Sequence, residues 1–294
     1  MQQVLRFATV FLVFLQAVPS LRGEENPVLK ELLSRRAPVS KDAVAPLPAA
    51  TLSDGLSAAQ QRERITAIPD NRQSWENLTR RSAVAPFVLK ISQPEDKSSA
   101  ARSVDLWFVT YGKLDRLASD DFLQEQFQDA RESGEAENRP RIRALTDDAL
   151  RQRGLKIPAA ASDPRFLSVE MNLLERVRIS GTTQSVKTTT ADSVTVASFL
   201  DPAFDKDREF PNSWRSIDRD AAGVRQYGAP RTYHSMGSYV KATRLAEPAG
   251  ALLIEYHVAF TEPEDWFHGA NLLRSKLPIV AQDAVRRFRR NFDK

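Results

Sequence analysis

Three histidines, His234, His257 and His268, lie in the last quarter of the chain beside Glu255, Glu262, Glu264 and Asp265. Imidazole next to carboxylate can move protons or hold a divalent metal near neutral pH. Glu255 and His257 are two residues apart, in a run where Leu252, Ile254, Tyr256, Val258 and Phe260 recur at every second position. On a strand the Glu/His pair therefore shares the face opposite the apolar one. The sharp reading is an acid/base or metal site built on Glu255, His257 and His268. No ligand spacing recurs among these residues, so the plainer reading is a Glu/His pair on a partly solvated strand face, with no metal ligand assigned. Residues 261–271 (TEPEDWFHGAN) set three acids, two aromatics, a His and a Gly between a strand and a helix. Binding residues gather on such loops, yet Trp266 and Phe267 equally suit a plug at the end of a core. Asp201, Asp205 and Asp207 lack the glycine and terminal glutamate of an EF-hand loop and read as solvated loop.

Specific catalytic signatures are missing. The sequence has no Walker-type phosphate loop, dinucleotide-binding glycine pattern, HExxH pair or nucleophile elbow, and only 11 glycines to build one from. It has no cysteine, which excludes disulfides, thiolate metal sites and a cysteine nucleophile. Nothing in it calls for a cofactor. The C-terminal string RRFRRNF suggests binding to anionic lipid or nucleic acid. But 42 Lys plus Arg stand against 38 Asp plus Glu, and two Phe at four-residue spacing make that string one face of a helix. No nucleic-acid partner is expected.

The elements that must position these residues divide the 294 residues into three parts. Residues 1–23 carry Arg6, an apolar run over 7–18 and then small residues, the pattern of a cleaved signal peptide. The run is far short of the roughly 20 residues that cross a bilayer, so no transmembrane segment is expected after its removal. The compartment expected is periplasmic or secreted. Residues 24–84 read as a subordinate, partly disordered helical lead-in: a short amphipathic helix near 27–36, a Pro/Ala-rich linker over 37–50 and a second helix over 56–68.

Residues 85–294 read as one α+β domain. Strands are expected over 87–92 and 104–111, and a helix over 119–128. Thr146 and Gly154 bracket another helix. Period-two alternation over 167–180 suggests one long strand, with a turn at 180–183 leading to a Thr/Val-rich strand over 185–200. A short strand near Trp214 follows, then a hairpin of 235–246 with 251–261. The chain ends in a helix capped at Ser275, with Pro278 in its first turn. Leu277, Ala281, Ala284, Val285, Phe288 and Phe292 form its apolar stripe, and Arg286, Arg287, Arg289 and Arg290 its opposite side.

This order, an early strand, short helices, hairpins and a final hairpin leading into one long amphipathic helix, resembles the helix-grip arrangement of START-like (SRPBCC) domains over about residues 103–292. The resemblance implies a curved antiparallel sheet packed on the C-terminal helix, with an apolar cavity between them. It implies a binding protein for an apolar or lipid-like small molecule, with Ile254, Tyr256, Val258, Leu277, Ala281 and Phe288 facing the cavity. An exported, non-enzymatic binding protein is thus the leading expectation. A hydrolase using His257 with Glu255 and the 262–268 loop is one alternative, and a structural or interaction domain of the cell envelope is another. Oligomeric state stays open.

Overall fold

The computed structural model describes residues 20–22, 25–34, 47–93, 100–119, 141–159, 163–267 and 272–293. Its strands are β1 (Ser20–Arg22), β2 (Val88–Ser92), β3 (Ala101–Tyr111), β4 (Arg141–Ala144), β5 (Arg165–Leu173), β6 (Val177–Thr189), β7 (Ser193–Leu200), β8 (Ser213–Arg219), β9 (Arg225–Tyr227), β10 (Arg231–Thr232), β11 (Met236–Arg244) and β12 (Ala251–Thr261). Its α-helices are α1 (Pro27–Ser34), α2 (Ala58–Thr66), α3 (Trp75–Leu78), α4 (Leu114–Ala118), α5 (Asp147–Arg151) and α6 (Leu272–Phe292). The strands form one curved sheet running β10-β8-β6-β7-β11-β12-β3-β2. Apart from β1, which lies parallel to the end of β6, the pairings along it are antiparallel. The protein is therefore α+β, a helix-grip arrangement in which the sheet carries α6 on one face.

The β6 strand is the branch point. One of its edges pairs with β5 over residues 177–185, and the other with β8 over 177–180 and β7 over 183–189. Where β7 and β8 diverge, Asn212 fills the gap. Its Oδ1 accepts from Thr182 N at 2.9 Å, and its Nδ2 donates to Asp201 O and Asp205 Oδ1, each at 2.8 Å. Backbone groups freed by the branch are thus paired by one amide, as buried peptide groups require. The alternation over 167–180 is split in two: Leu174 and Glu175 take positive φ (50° and 57°) in a tight turn between β5 and β6. Glu175 interrupts the apolar row because it sits in that turn. Conversely, residues 180–183 are not a turn but mid-strand. Gly181 is there because a Cβ would collide with the Leu200 side chain.

Helix signals near the middle of the chain hold in part. Thr146 caps α5 by accepting from Ala149 N at 3.2 Å, and Gly154 (φ +67°) follows it. The helix expected over 119–128 falls, beyond Ser119, outside the described residues, and the short α4 precedes it. The terminal helix starts earlier than Ser275, at Leu272, which leaves Pro278 inside it. Of Arg286, Arg287, Arg289 and Arg290, which the helical phase puts on the outer side, Arg289 is not there. It is 4% exposed and packs against the sheet.

The lead-in is not subordinate in the structure. Val28, Leu32 and Leu47 pack on Val186, Ala197, Phe199, Tyr239 and Ala259, on the sheet face away from α6. Leu52, Ile65, Ile68 and Leu78 cover Trp107, Val109, Ala251 and Leu253 on the same face. The Leu32 side chain reaches the sheet at Gly237, where a Cβ would lie 2.7 Å from it. A capping box between Ser57 and Gln60 starts α2. With both faces covered, every residue of β7 and the first ten of β12 are buried.

Asn212→Ala tests the branch. It leaves the Thr182 N–H and the Asp201 carbonyl without their partner in a site only 1% exposed. We expect a loss of about 2–6 kcal/mol in urea unfolding, from two buried groups at roughly 1–3 kcal/mol each. A midpoint unchanged from wild type would show that the amide is dispensable.

Candidate functional site

Two sites stand out, one on each face of the sheet. On the α6 side, the start of the helix does not close on the strands and leaves a cavity of about 50 Å3. Its floor is Val104 of β3, Met171 and Leu173 of β5, Ile179 of β6, Met236 of β11, and Tyr256, Val258 and Phe260 of β12. Leu273 and Leu277 of α6 form the roof, and Tyr233 and Trp266 close one end. Period two sends Tyr256, Val258 and Phe260 to different heights of one face, and the i, i+4 spacing stacks Leu273 and Leu277 above them. Trp266 is the hub of the closed end. It stacks on Phe260 at 6.2 Å, lies 5.3 Å from Tyr233 and meets Trp214 and Phe267 edge-on. Its placement makes Trp266 and Phe267 the plug that their buried state indicates.

Burial pushes the phenols of Tyr233 and Tyr256 far above the ordinary tyrosine range, so both stay neutral. The Tyr233 hydroxyl donates to Thr261 O at 3.0 Å. The Trp266 Nε1–H, by contrast, is buried with no hydrogen-bond partner. Of the six residues expected to face a cavity, Tyr256, Val258 and Leu277 line it. Ile254, Ala281 and Phe288 are buried, at 5%, 0% and 5% exposure, but lie outside its lining. There Phe288 meets Phe108 edge-on at 5.4 Å and Phe292 at 5.5 Å, and these rings fill the space. The three were expected in the lining because strand and helix periodicity name a face without saying how far along it the packing is complete.

The second site lies under the lead-in. His257 on β12 is directly opposite Asp105 on β3 and Tyr239 on β11. Its Nδ1 is 2.8 Å from Asp105 Oδ1 and its Nε2 is 3.4 Å from Glu255 Oε2. Tyr239 lies against the imidazole at 4.6 Å and Trp107 edge-on at 5.1 Å. The same Glu255 oxygen accepts from Thr51 N at 2.8 Å, while Oε1 has no partner. Tyr239 donates to Pro48 O and Lys241 Nζ to Leu52 O, each at 2.8 Å. Glu255 and His257 are both 0% exposed. The expected half-solvated face is therefore fully covered, because residues 47–52 supply both the apolar lid and the backbone partners.

This burial corrects the hydrolase alternative. The Glu255–His257 pair has no open side to receive water or substrate, and the loop that was to complete it points its acids elsewhere. Glu262 pairs with Arg102 at 2.6 Å, and Asp265 pairs with Arg231. His234 is on the surface, 2.8 Å from Asp205. His268 lies outside the described residues. Among the described residues no group of three or more His, Asp or Glu side chains is placed to hold a metal ion. The aspartates of the 201–207 loop go to separate partners. Asp201 caps a short 3-10 turn, Asp205 meets Asn212 and His234, and Asp207 is gripped by Arg153, whose hydrogen bond holds its carboxyl down at about 2. Sequence reasoning missed Asp105, although an acid near the start of the otherwise apolar run VDLWFVTY was a visible signal.

No protein-family model matches the chain, and no curated protein matches it. Among solved structures, the human StarD13 (DLC2) lipid transfer and protein localization domain is 7% identical, with a TM-score of 0.41 over 70% of this chain and 83% of that one. Human STARD10 is also 7% identical, with a TM-score of 0.36 over 69% of this chain and 74% of that one. CalU16 from Micromonospora echinospora is 8% identical, at 0.26 over 71% and 92%. At such scores they are neighbours in general outline only. The helix-grip description rests on this chain's own strand order and helix placement.

The buried histidine generates a pH prediction. Burial alone would lower its pKa. The hydrogen bonds and charges of Asp105 and Glu255 outweigh that, so His257 is raised above its ordinary value. The folded state then binds the proton more tightly than the unfolded one. The stabilisation is fully present below about pH 6.5, the unfolded value, and is lost as pH rises through the folded pKa. Melting temperature measured from pH 6 upward should fall in the wild type and stay flatter in His257→Gln. Parallel curves would mean the proton makes no contribution.

Proposed function

We propose that this chain is an exported, non-enzymatic binding protein that holds a small apolar or lipid-like molecule between its sheet and the start of α6. The observation that carries this reading is the cavity: twelve lining residues, none of them ionisable apart from two phenols held neutral by burial. A dry apolar void favours an apolar guest over water, because water there would forfeit its hydrogen bonds. The unpartnered Trp266 Nε1–H adds one donor at the closed end and favours a guest with a single hydrogen-bond acceptor.

Size sets a condition on this proposal. At about 50 Å3 the cavity is well below the roughly 300–1,000 Å3 of ordinary small-molecule sites. A lipid-sized guest must displace the roof, and Leu273 and Leu277 are the residues that would move. Export rests on the leader-like pattern of residues 1–23. No described helix is long and apolar enough to cross a membrane.

The experiment is native mass spectrometry and organic extraction of the purified protein, paired with Leu277→Ala. Leu277 is 0% exposed, so truncation should cost about 2–5 kcal/mol and enlarge the void. Decanol should then raise the melting temperature of Leu277→Ala more than that of the wild type, and more than decane does. A reproducibly empty wild type, with both forms indifferent to decanol and decane, overturns the proposal.

A further inference from the structure

At the other end of α6, the last helical turn, the end of β3 and residues 80–83 enclose a second cleft, of about 220 Å3. Its walls carry four arginines, Arg80, Arg81, Arg289 and Arg290, against one acid, Asp293. That acid is already engaged, with Arg81 at 2.6 Å. The cleft is therefore strongly positive, although the chain as a whole is nearly balanced.

Arg289 sets the character of the site. Its Nε donates to Val109 O at 2.8 Å, its Nη2 to Pro86 O at 3.0 Å and its Nη1 to Ala85 O, and its guanidinium lies 5.6 Å from the centre of the Phe108 ring. None of these partners carries a negative charge. Carbonyls satisfy the hydrogen-bonding geometry of three of the five guanidinium N–H groups but do not neutralise the cation. Burial, and then the nearby charge of Arg80, push Arg289 down to about 10. Arg80 and Arg290 are exposed and make no ion pair among the described residues.

A second observation is independent of charge. Thr110 lines the same cleft, is 2% exposed, and its Oγ1 is buried without a hydrogen-bond partner. A lone buried hydroxyl is costly unless something occupies the space beside it. The negative end of the α6 dipole opposes an anion here with about half a charge, which the arginines outweigh several-fold.

We propose that this cleft binds a phosphate-type oxyanion, held at the rim by Arg80 and Arg290 and met inside by the Thr110 hydroxyl and the charge of Arg289. Arginine forks match phosphate oxygens in pairs, and donors arriving from several directions suit a tetrahedral anion. The site is distinct from the apolar cavity. Leu277 and Arg289 are about 18 Å apart along the helix, and Phe108, Val285 and Phe288 are packed in the core between the two ends. It does not depend on what the cavity holds. The phosphate can belong to a soluble monoester or to a phospholipid headgroup.

Calorimetric titration of the full chain with inorganic phosphate at low ionic strength tests the site. The wild type should bind, and R80A/R290A should bind about a hundredfold more weakly, since each of the two lost charged hydrogen bonds is worth about one factor of ten. Thr110→Val should weaken phosphate several-fold without lowering the melting temperature. R62A/R215A, which removes the same charge elsewhere, should bind as wild type. Cosedimentation with phosphatidylcholine vesicles, with and without phosphatidic acid, separates the sources. Capture by the acidic vesicles that inorganic phosphate reverses supports a headgroup, and phosphate binding without capture supports a soluble monoester. Absence of both kinds of binding overturns the proposal, as does equal weakening by R80A/R290A and R62A/R215A.

Discussion

The structure depends on one constraint: its central sheet is buried on both faces. Antiparallel sheets commonly leave one face to water. Here β7 is buried at every residue and β12 at its first ten, so neither side tolerates solvent. Each face must be covered by chain from elsewhere. The α6 helix covers one through Leu277, Val285, Phe288 and Phe292. Residues 25–34 and 47–84 cover the other through Val28, Leu32, Leu52, Ile65 and Leu78. Residues 25–34 and 47–84 are thus part of the core, and the sheet is a middle layer between two coverings.

The coverings differ in kind. Apart from the Arg289 hydrogen bonds near its end, the α6 side is held by apolar contacts and aromatic edges, which are tolerant of direction. The lead-in side carries a strip of ionisable groups, Asp105, His257, Glu255 and Lys241, whose partners include Thr51 N and Leu52 O from the covering segment. Burying such groups is a poor source of stability compared with apolar packing. Its effect is on register: a shift of the lead-in by one residue would take Thr51 N from Glu255 and the Pro48 carbonyl from Tyr239. The polar strip selects one docking position where grease alone would accept several.

How much of this could be read from the sequence follows from the range of each interaction. Local patterns were legible: the period-two runs of β11 and β12, the stripe of α6 and the Thr146 cap all depend on neighbours within a few residues. Quantities set by distant chain were not. The turn expected at 180–183 falls instead at Leu174 and Glu175, and Gly181 is required mid-strand by a collision with the distant Leu200. Arg289 looked like surface charge by helical phase, yet the backbone at 85–86 and 109 draws it inward. Tyr256, Val258 and Leu277 were named as lining from the right faces. Asp105 was passed over because only cross-strand register brings it to His257.

Pro278 sits seven residues into α6, between Leu277 and Val280. It has no N–H to give to the carbonyl one turn earlier, so the helix is stitched there by one bond fewer. The break falls between the segment bearing Leu273 and Leu277 and the segment anchored by Phe288, Arg289 and Phe292. Lifting the front of the helix therefore strains a single loosened turn and leaves the rear anchorage in place, so the rod behaves as a fixed stem with a separately sprung tip.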